Sequence, residues 1–289
     1  MKLHKTLKYF PFYMLSVLPM QILYFLSDTA YLFIYYIIQY RKKVVLKNLR
    51  KVFPEKSKDE INDISKRFYR HFCDVLFESL KTLTITKKEA KNRLRLKNPE
   101  ILTGFLKNNR SILLYTAHQG NWELLVYLPL ILTYPSNTFY RPLNNRYFNG
   151  LLLLIRERFG VTCVEKSKGY RTIIAQKNNS EVVMNCIIGD QSPKRNSAIH
   201  WCDFFNRKTA FYLGANTISM KTNNVVLFPR FTKIKRGYYQ LCFELIEEFP
   251  SRSEGYEIVD KYATCLENAI TQSPEMWLWS HRRWKLSQG

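Results

Sequence analysis

His118 and Glu123 lie five residues apart in the stretch SILLYTAHQGNWELLVYLPL, residues 111–130. An imidazole and a carboxylate can act as a general base and the group that orients it, if the chain between them turns the acid back toward the ring. The local sequence supplies such a turn. SILLYT reads as a buried strand, Gln119–Gly120 as a tight turn, and Trp122 opens an apolar periodic run that reads as a helix. Asn121 is a suitable N-cap for that helix, which places His118 on the loop at the carboxyl end of the strand. Open α/β sheets bind ligands at that edge. The same pattern also fits a hydrogen-bonded structural histidine and an acid favoured by the first helical turn.

Three later blocks place charges at the ends of elements. Arg141 in FYRP (139–142) precedes Pro142, which holds it extended, where its fork suits a phosphate. Arg158 in LIRERFG (154–160) can do the same or simply complement a helix C-terminus. Asp190 in GDQSP (189–193) follows a buried strand and can orient a cation or a hydroxyl. The chain has no GxGxxG, P-loop, HExxH or GxSxG, so the sequence grounds for a dinucleotide enzyme, nucleotide hydrolase, zinc protease or common serine esterase are missing. The six cysteines (73, 163, 186, 202, 242, 265) show no metal-ligand rhythm and read as reduced, buried thiols; no metal site is expected.

Short apolar strands alternate with helices across the rest of the chain. Strands are expected at 161–164, 181–189, 224–231 and 238–247, with helices at about 145–159 and 170–176. This predicts an α/β fold with a mixed sheet covered by helices. Upstream, Ser57 and Glu60 form a capping box for a helix bearing Ile61, Ile64, Phe68, Phe72, Leu76 and Leu80, with Lys66, Arg67 and Arg70 on its basic face. Ile258 to Ile270 line one side of a late helix, and Ser273–Pro274 read as the start of another in SPEMWLWSHRRWK. The tryptophans of that tail suit either a membrane interface or the core.

Residues 9–27 and 29–40 carry no charge, and basic residues flank them: Lys2, Lys5 and Lys8 before, Arg41 to Lys51 after. The pattern fits an N-terminal hydrophobic membrane-anchoring segment, either a span or a shallow hairpin broken at Pro19 and Asp28, with the bulk of the chain cytoplasmic. A helix buried against a soluble domain is the other reading. The expected organisation is a membrane segment at 1–45 and a single domain at 46–289, comprising a helical lead-in at 46–98, an α/β core at 99–250 and C-terminal helices at 251–289. Of 289 residues, 46% are hydrophobic, enough for a sizeable core. Lys and Arg outnumber Asp and Glu by 45 to 23, a formal charge of +22 that points to anionic partners.

Taken in order, HQGNWE, FYRP, LIRERFG, GDQSP, the 204–215 stretch FFNRKTAFYLGA and PEMWLWSHRRWK resemble the lipid A biosynthesis acyltransferases, the lauroyl- and myristoyl-transferring branch of the lysophospholipid acyltransferase superfamily. The resemblance covers nearly the whole chain and implies a glycerolipid-acyltransferase-like fold. It implies His118 and Glu123 as the catalytic dyad, with Arg141, Arg158, Asp190, Gln191, Gly120 and Asn121 as substrate-binding candidates. It further implies an O-acyltransferase at the cytoplasmic face of a bacterial inner membrane. The acceptor would be a lipid A precursor hydroxyl; the co-substrate would be acyl carrier protein bearing a phosphopantetheine thioester, with no cofactor and no covalent acyl-enzyme. Anionic inner-membrane lipid is an expected partner and nucleic acid is not. Two departures stand out: Asn206 occupies a position where the pattern has glycine, and Met276 one where it has a polar residue. The alternatives are an acyltransferase for another membrane lipid, such as a lysophospholipid or glycolipid, and a non-catalytic basic protein that binds membranes or nucleic acid.

Overall fold

β2 (Ile112–Thr116) is buried along its whole length, because helices cover both faces of the sheet to which it belongs. Ile112 and Leu114 point into one apolar layer, Leu113 and Tyr115 into the other. A strand so placed must be apolar on both sides, which is why SILLYT reads as a continuous hydrophobic run without alternation. The computed structural model describes residues 8–286, so Lys2 and Lys5 of the basic N-terminal flank lie outside the described residues.

The other strands are β1 (Leu94–Leu96), β3 (Ser136–Tyr140), β4 (Val161–Glu165), β5 (Met184–Ile188), β6 (Trp201–Asp203), β7 (Lys208–Ala210), β8 (Val225–Lys235) and β9 (Tyr238–Glu247). Seven form one sheet in the order β1-β9-β8-β2-β5-β3-β4. All its pairings are parallel except the β8–β9 hairpin, so the sheet is mixed as expected. β5 enters between β2 and β3, so their carboxyl ends sit side by side. β6 and β7 make a separate antiparallel hairpin. The first face is covered by the helices Lys58–Lys81, Gly214–Thr222 and Glu257–Gln272 among others, the second by Pro99–Lys107 and the Trp122–Leu132 segment.

Ser57 and Glu60 make the expected capping box: the Glu60 N–H donates to Ser57 Oγ at 3.3 Å and the Ser57 N–H to Glu60 Oε2 at 2.8 Å. Ile61, Ile64 and Phe68 of this helix are buried, but Leu76 is 50% exposed. The buried side at that level is taken by Asp74, Val75 and Glu78 instead, so polar side chains enter the interior where an apolar stripe was expected. The helix foreseen at 170–176 starts at Lys166, directly after β4, and β3 and the Gly214–Thr222 helix had no clear sequence signal.

One correction concerns the apolar tail. After Ser273 there is only one 3₁₀ turn, Pro274–Met276, and the tail then runs irregularly across the core. Trp277 and Trp279 are buried there, and the Asn48 amide donates to the carbonyls of Trp279 and His281. These tryptophans belong to the core; they do not face a membrane. At the other end, Phe10–Val17 and Met20–Ile37 form a helix pair bent by 114°, and no single described helix is long and apolar enough to cross a bilayer. The pair rests on the Lys58–Lys81 helix: Lys81 Nζ donates to the Ser16 and Leu18 carbonyls, and Ser27 Oγ to Asp74. Its outer side leaves Phe10, Met14, Val17, Ile22, Phe25 and Ile37 exposed, Phe25 by 70%.

Candidate active site

His118 follows β2 by two residues and lines a cavity of about 450 Å³. The carboxyl ends of β2, β5 and β3 floor the cavity, and Leu125, Leu152, Val161 and Ile187 give it an apolar lining. The polar groups reaching it include His118, Glu123, Arg141, Arg156, Lys166 and Gln191. A mostly apolar space with a few convergent polar groups is the usual form of a small-molecule or acyl-chain site.

The histidine's ring partner is Asp190, one residue past the Gly189 that follows β5. His118 Nδ1 lies 2.8 Å from Asp190 Oδ1, the His118 backbone N–H donates to Asp190 Oδ2 at 3.0 Å, and Trp277 Nε1 donates to the same oxygen at 2.8 Å. Asp190 is buried, which alone would raise its pKa; the facing His118 and the three donors outweigh burial and hold the carboxyl below the usual range. With Nδ1 committed to a carboxylate, Nε2 is the nitrogen available to a substrate.

Glu123 lines the same cavity, but no hydrogen bond joins it to His118. It receives Arg156 Nε at 2.9 Å and Arg156 Nη2 at 2.5 Å, a bidentate pair, and Trp122 Nε1 at 3.2 Å. Burial would push its carboxyl up, yet the Arg156 guanidinium keeps it depressed. The acid on the imidazole is therefore the one seventy-two residues away, while the acid five residues away is paired with Arg156. Arg156 was missed because it ends an amphipathic helix, Arg146–Arg156, where a cation ordinarily just complements the helix C-terminus, and Arg158 in the same LIRERFG block offered the same chemistry.

The loop between β2 and Trp122 is fixed on every side. Gly120 has φ +66°, and a Cβ there would meet Phe231 Cβ at 2.2 Å, so the turn needs glycine for both conformation and space. Its N–H donates to the Met276 carbonyl at 2.8 Å, so it is not free to hold an oxyanion, and its carbonyl meets His71 Nε2 at 3.1 Å. The Leu278 N–H donates to the His118 carbonyl, and the Gln119 amide exchanges two 3.0 Å hydrogen bonds with the Phe231 backbone. Asn121 holds the N-cap position as expected, but the turn after it is 3₁₀ and its side chain makes no cap hydrogen bond; its buried amide donates to Glu78 Oε2 at 2.6 Å instead. Glu78 also receives Tyr239 Oη at 3.0 Å and Tyr24 Oη at 3.2 Å. Burial, reinforced by Asp74, pushes its pKa up to about 7.

The remaining candidates separate cleanly. Arg141 is exposed at the cavity rim and Gln191 lines the cavity beside Asp190. Arg158 does not reach it: its guanidinium donates to the Thr82 carbonyl at the end of the Lys58–Lys81 helix and lies over Phe159. Lys166, absent from the sequence expectations, lines the cavity with its ammonium 3.9 Å from the Tyr212 ring centroid. Asn206 has φ +55°, a left-handed conformation that explains why glycine suits that position and why asparagine is tolerated there.

A family model described as bacterial lipid A biosynthesis acyltransferase matches residues 6–286. The chain belongs to the lipid A biosynthesis acyltransferases. No curated protein matches it closely enough to serve as an individual relative. Membership makes the chain an acyltransferase of lipid A biosynthesis, with a lipid A precursor as acceptor, and it agrees with the ordered blocks from HQGNWE to PEMWLWSHRRWK. In this acyltransferase those blocks meet in space: the first supplies His118, the fourth Asp190, and the last Trp277, all within one hydrogen-bonded cluster.

Proposed function

We propose that the protein transfers a fatty acyl chain from an acyl carrier protein thioester to a hydroxyl of a lipid A precursor, with His118 as general base. The observation that carries this reading is that His118, paired with Asp190, lines a largely apolar cavity. Neutral His118 takes the acceptor's hydroxyl proton on Nε2 while the oxygen attacks the thioester carbonyl. Asp190 holds Nδ1–H and stabilises the imidazolium without itself becoming protonated. The tetrahedral oxyanion collapses, the C–S bond breaks, and the pantetheine thiolate recovers the proton from Nε2. No bond to the enzyme forms.

Glu123 has a different task in this scheme from the one its spacing suggested. By occupying Nε–H and one Nη2–H of Arg156, it fixes the guanidinium and leaves the other N–H groups to face the developing oxyanion. The apolar lining suits the acyl chain, while Arg141 and Lys166 at the polar side suit the acceptor's phosphates. The exposed apolar residues of the bent helix pair, with their basic flank, support attachment to an anionic cytoplasmic leaflet by insertion of one face. The +22 charge favours all three anionic partners: carrier protein, acceptor and leaflet.

The test is incubation of membranes containing the protein with acyl carrier protein donors and a lipid A precursor, followed by mass spectrometry of the lipid. The expected result is a mass gain of one acyl group with the unmutated protein and its loss in His118→Ala. Equal acylation by His118→Ala would reject the mechanism. Acylation of a lysophospholipid in place of the lipid A precursor would reject the acceptor.

A further inference from the structure

Away from the cavity, three side chains of different chemistry converge where the β6–β7 hairpin meets the Glu257–Gln272 helix. One nitrogen of His200, the Cys202 sulfur and one Asp260 oxygen all lie within 4.8 Å of one another. His200 and Cys202 are two apart on an extended segment, so both project to the same side. Asp260 comes from the first turn of the helix. His200 Nε2 is 2.8 Å from Asp260 Oδ1, and its ring stacks on Tyr256 at 4.5 Å, which fixes the imidazole plane. We propose that His200, Cys202 and Asp260 form a binding site for a zinc-class divalent transition metal, with water in the fourth position.

The donor set argues for the metal class. Nitrogen, sulfur and carboxylate oxygen together suit zinc, whereas calcium and magnesium take oxygen alone. Tetrahedral coordination with bonds of about 2.0–2.3 Å separates ligand atoms by roughly 3–4 Å, so the donors need shift by only about 1 Å to admit an ion. A second observation concerns charge. Arg283 is buried, and its Nε and Nη2 have no hydrogen-bond partner among the described residues. Its guanidinium lies within electrostatic reach of Cys202. Metal binding converts the Cys202 thiol to a thiolate with release of one proton, and that thiolate gives Arg283 a countercharge.

The experiment uses the full-length, detergent-purified protein, stripped with a chelator and titrated with Co²⁺ as a spectroscopic probe. One equivalent should give a thiolate-to-cobalt charge-transfer band and tetrahedral d–d bands, which Zn²⁺ then abolishes by displacement. Cys202→Ser should lose the charge-transfer band. Asp260→Asn, at a half-exposed position with little risk to folding, should keep its circular dichroism and bind at least tenfold more weakly. Absence of the band in the unmutated protein, its persistence in Cys202→Ser, or unchanged affinity in Asp260→Asn would each overturn the site. None of these readouts depends on acyl transfer.

Discussion

Replacing Asp190 by asparagine tests the proposed mechanism at its most constrained point. Asp190 Oδ2 receives two donors, the His118 backbone N–H and Trp277 Nε1, while Oδ1 faces His118 Nδ1. An asparagine has one acceptor oxygen. Two donors that cannot turn around face the Oδ2 position, so the oxygen of the substituted amide must take that place and its NH₂ must take the other. The NH₂ then points at Nδ1, which becomes an acceptor, and the ring proton moves to Nε2. His118 is thereby held in the tautomer that cannot accept a proton from substrate. Loss of a general base costs about 10²- to 10⁴-fold in rate, roughly 3 to 5 kcal/mol of barrier. The expected outcome for Asp190→Asn is a fall in kcat of that size with nearly unchanged KM and unchanged circular dichroism. It is read by acyl transfer to a lipid A precursor under saturating donor. Activity within threefold of the unmutated enzyme would refute the tautomer argument.

Glu123→Ala leaves the Arg156 guanidinium without its bidentate partner in a largely desolvated place, so stability should fall by about 3–5 kcal/mol, and Glu123→Ala/Arg156→Ala should lose less than the two single changes combined; chemical denaturation measures both. Glu78 titrates near 7 in the fold against an ordinary 4.5, so its contribution to stability is full below about 4.5 and is lost as pH rises through 7. That rise corresponds to about 3 kcal/mol, and Glu78→Gln mimics the protonated form, keeping one oxygen for Asn121 and Tyr239 and an NH₂ for Tyr24. The variant should therefore match the unmutated protein in thermal melts at pH 5 and exceed it at pH 8; equal melting temperatures at both would count against a protonated Glu78. Gly120→Ala forces a Cβ into Phe231 at a positive φ, and should lower both stability and acyl transfer, the latter even in protein that remains folded.

Most of the fold could be read from sequence because its elements are locally self-consistent. The capping box at Ser57, the apolar strand before His118 and the helix from Ile258 each satisfy propensity and periodicity together, and each appears where expected. β3 escaped because SNTFY has little apolar character; its burial comes from lying between β5 and β4, which only the crossover order reveals. The tryptophan tail was ambiguous for a similar reason, since amphipathic rings suit a core and an interface equally until their neighbours are known. At the site, His118 was legible as a residue at a sheet edge, but its partner was not. A strand-to-loop acid seventy-two residues away becomes adjacent only because β5 pairs directly with β2 in parallel register, Thr116 opposite Ile188.

That register explains why Glu123, though nearer in sequence, has been released for Arg156. The Gly120 turn is bound to His71 on one side and Met276 on the other, and Asn121 is drawn away into the Glu78 cluster. The backbone therefore does not bring the first helical turn back over the imidazole. The Glu78 cluster, in turn, includes Tyr24 of the apolar N-terminal pair, while Asp74 one turn earlier binds Ser27 and, through Arg236, Asp28. One helix, Lys58–Lys81, thus presents its polar residues to the apolar segment and to the His118 loop at once. Under the membrane attachment proposed above, the height of His118 relative to the lipid surface would be set through this helix. A buried polar stripe in place of an apolar one is what that double attachment requires, and it accounts for the exposed Leu76.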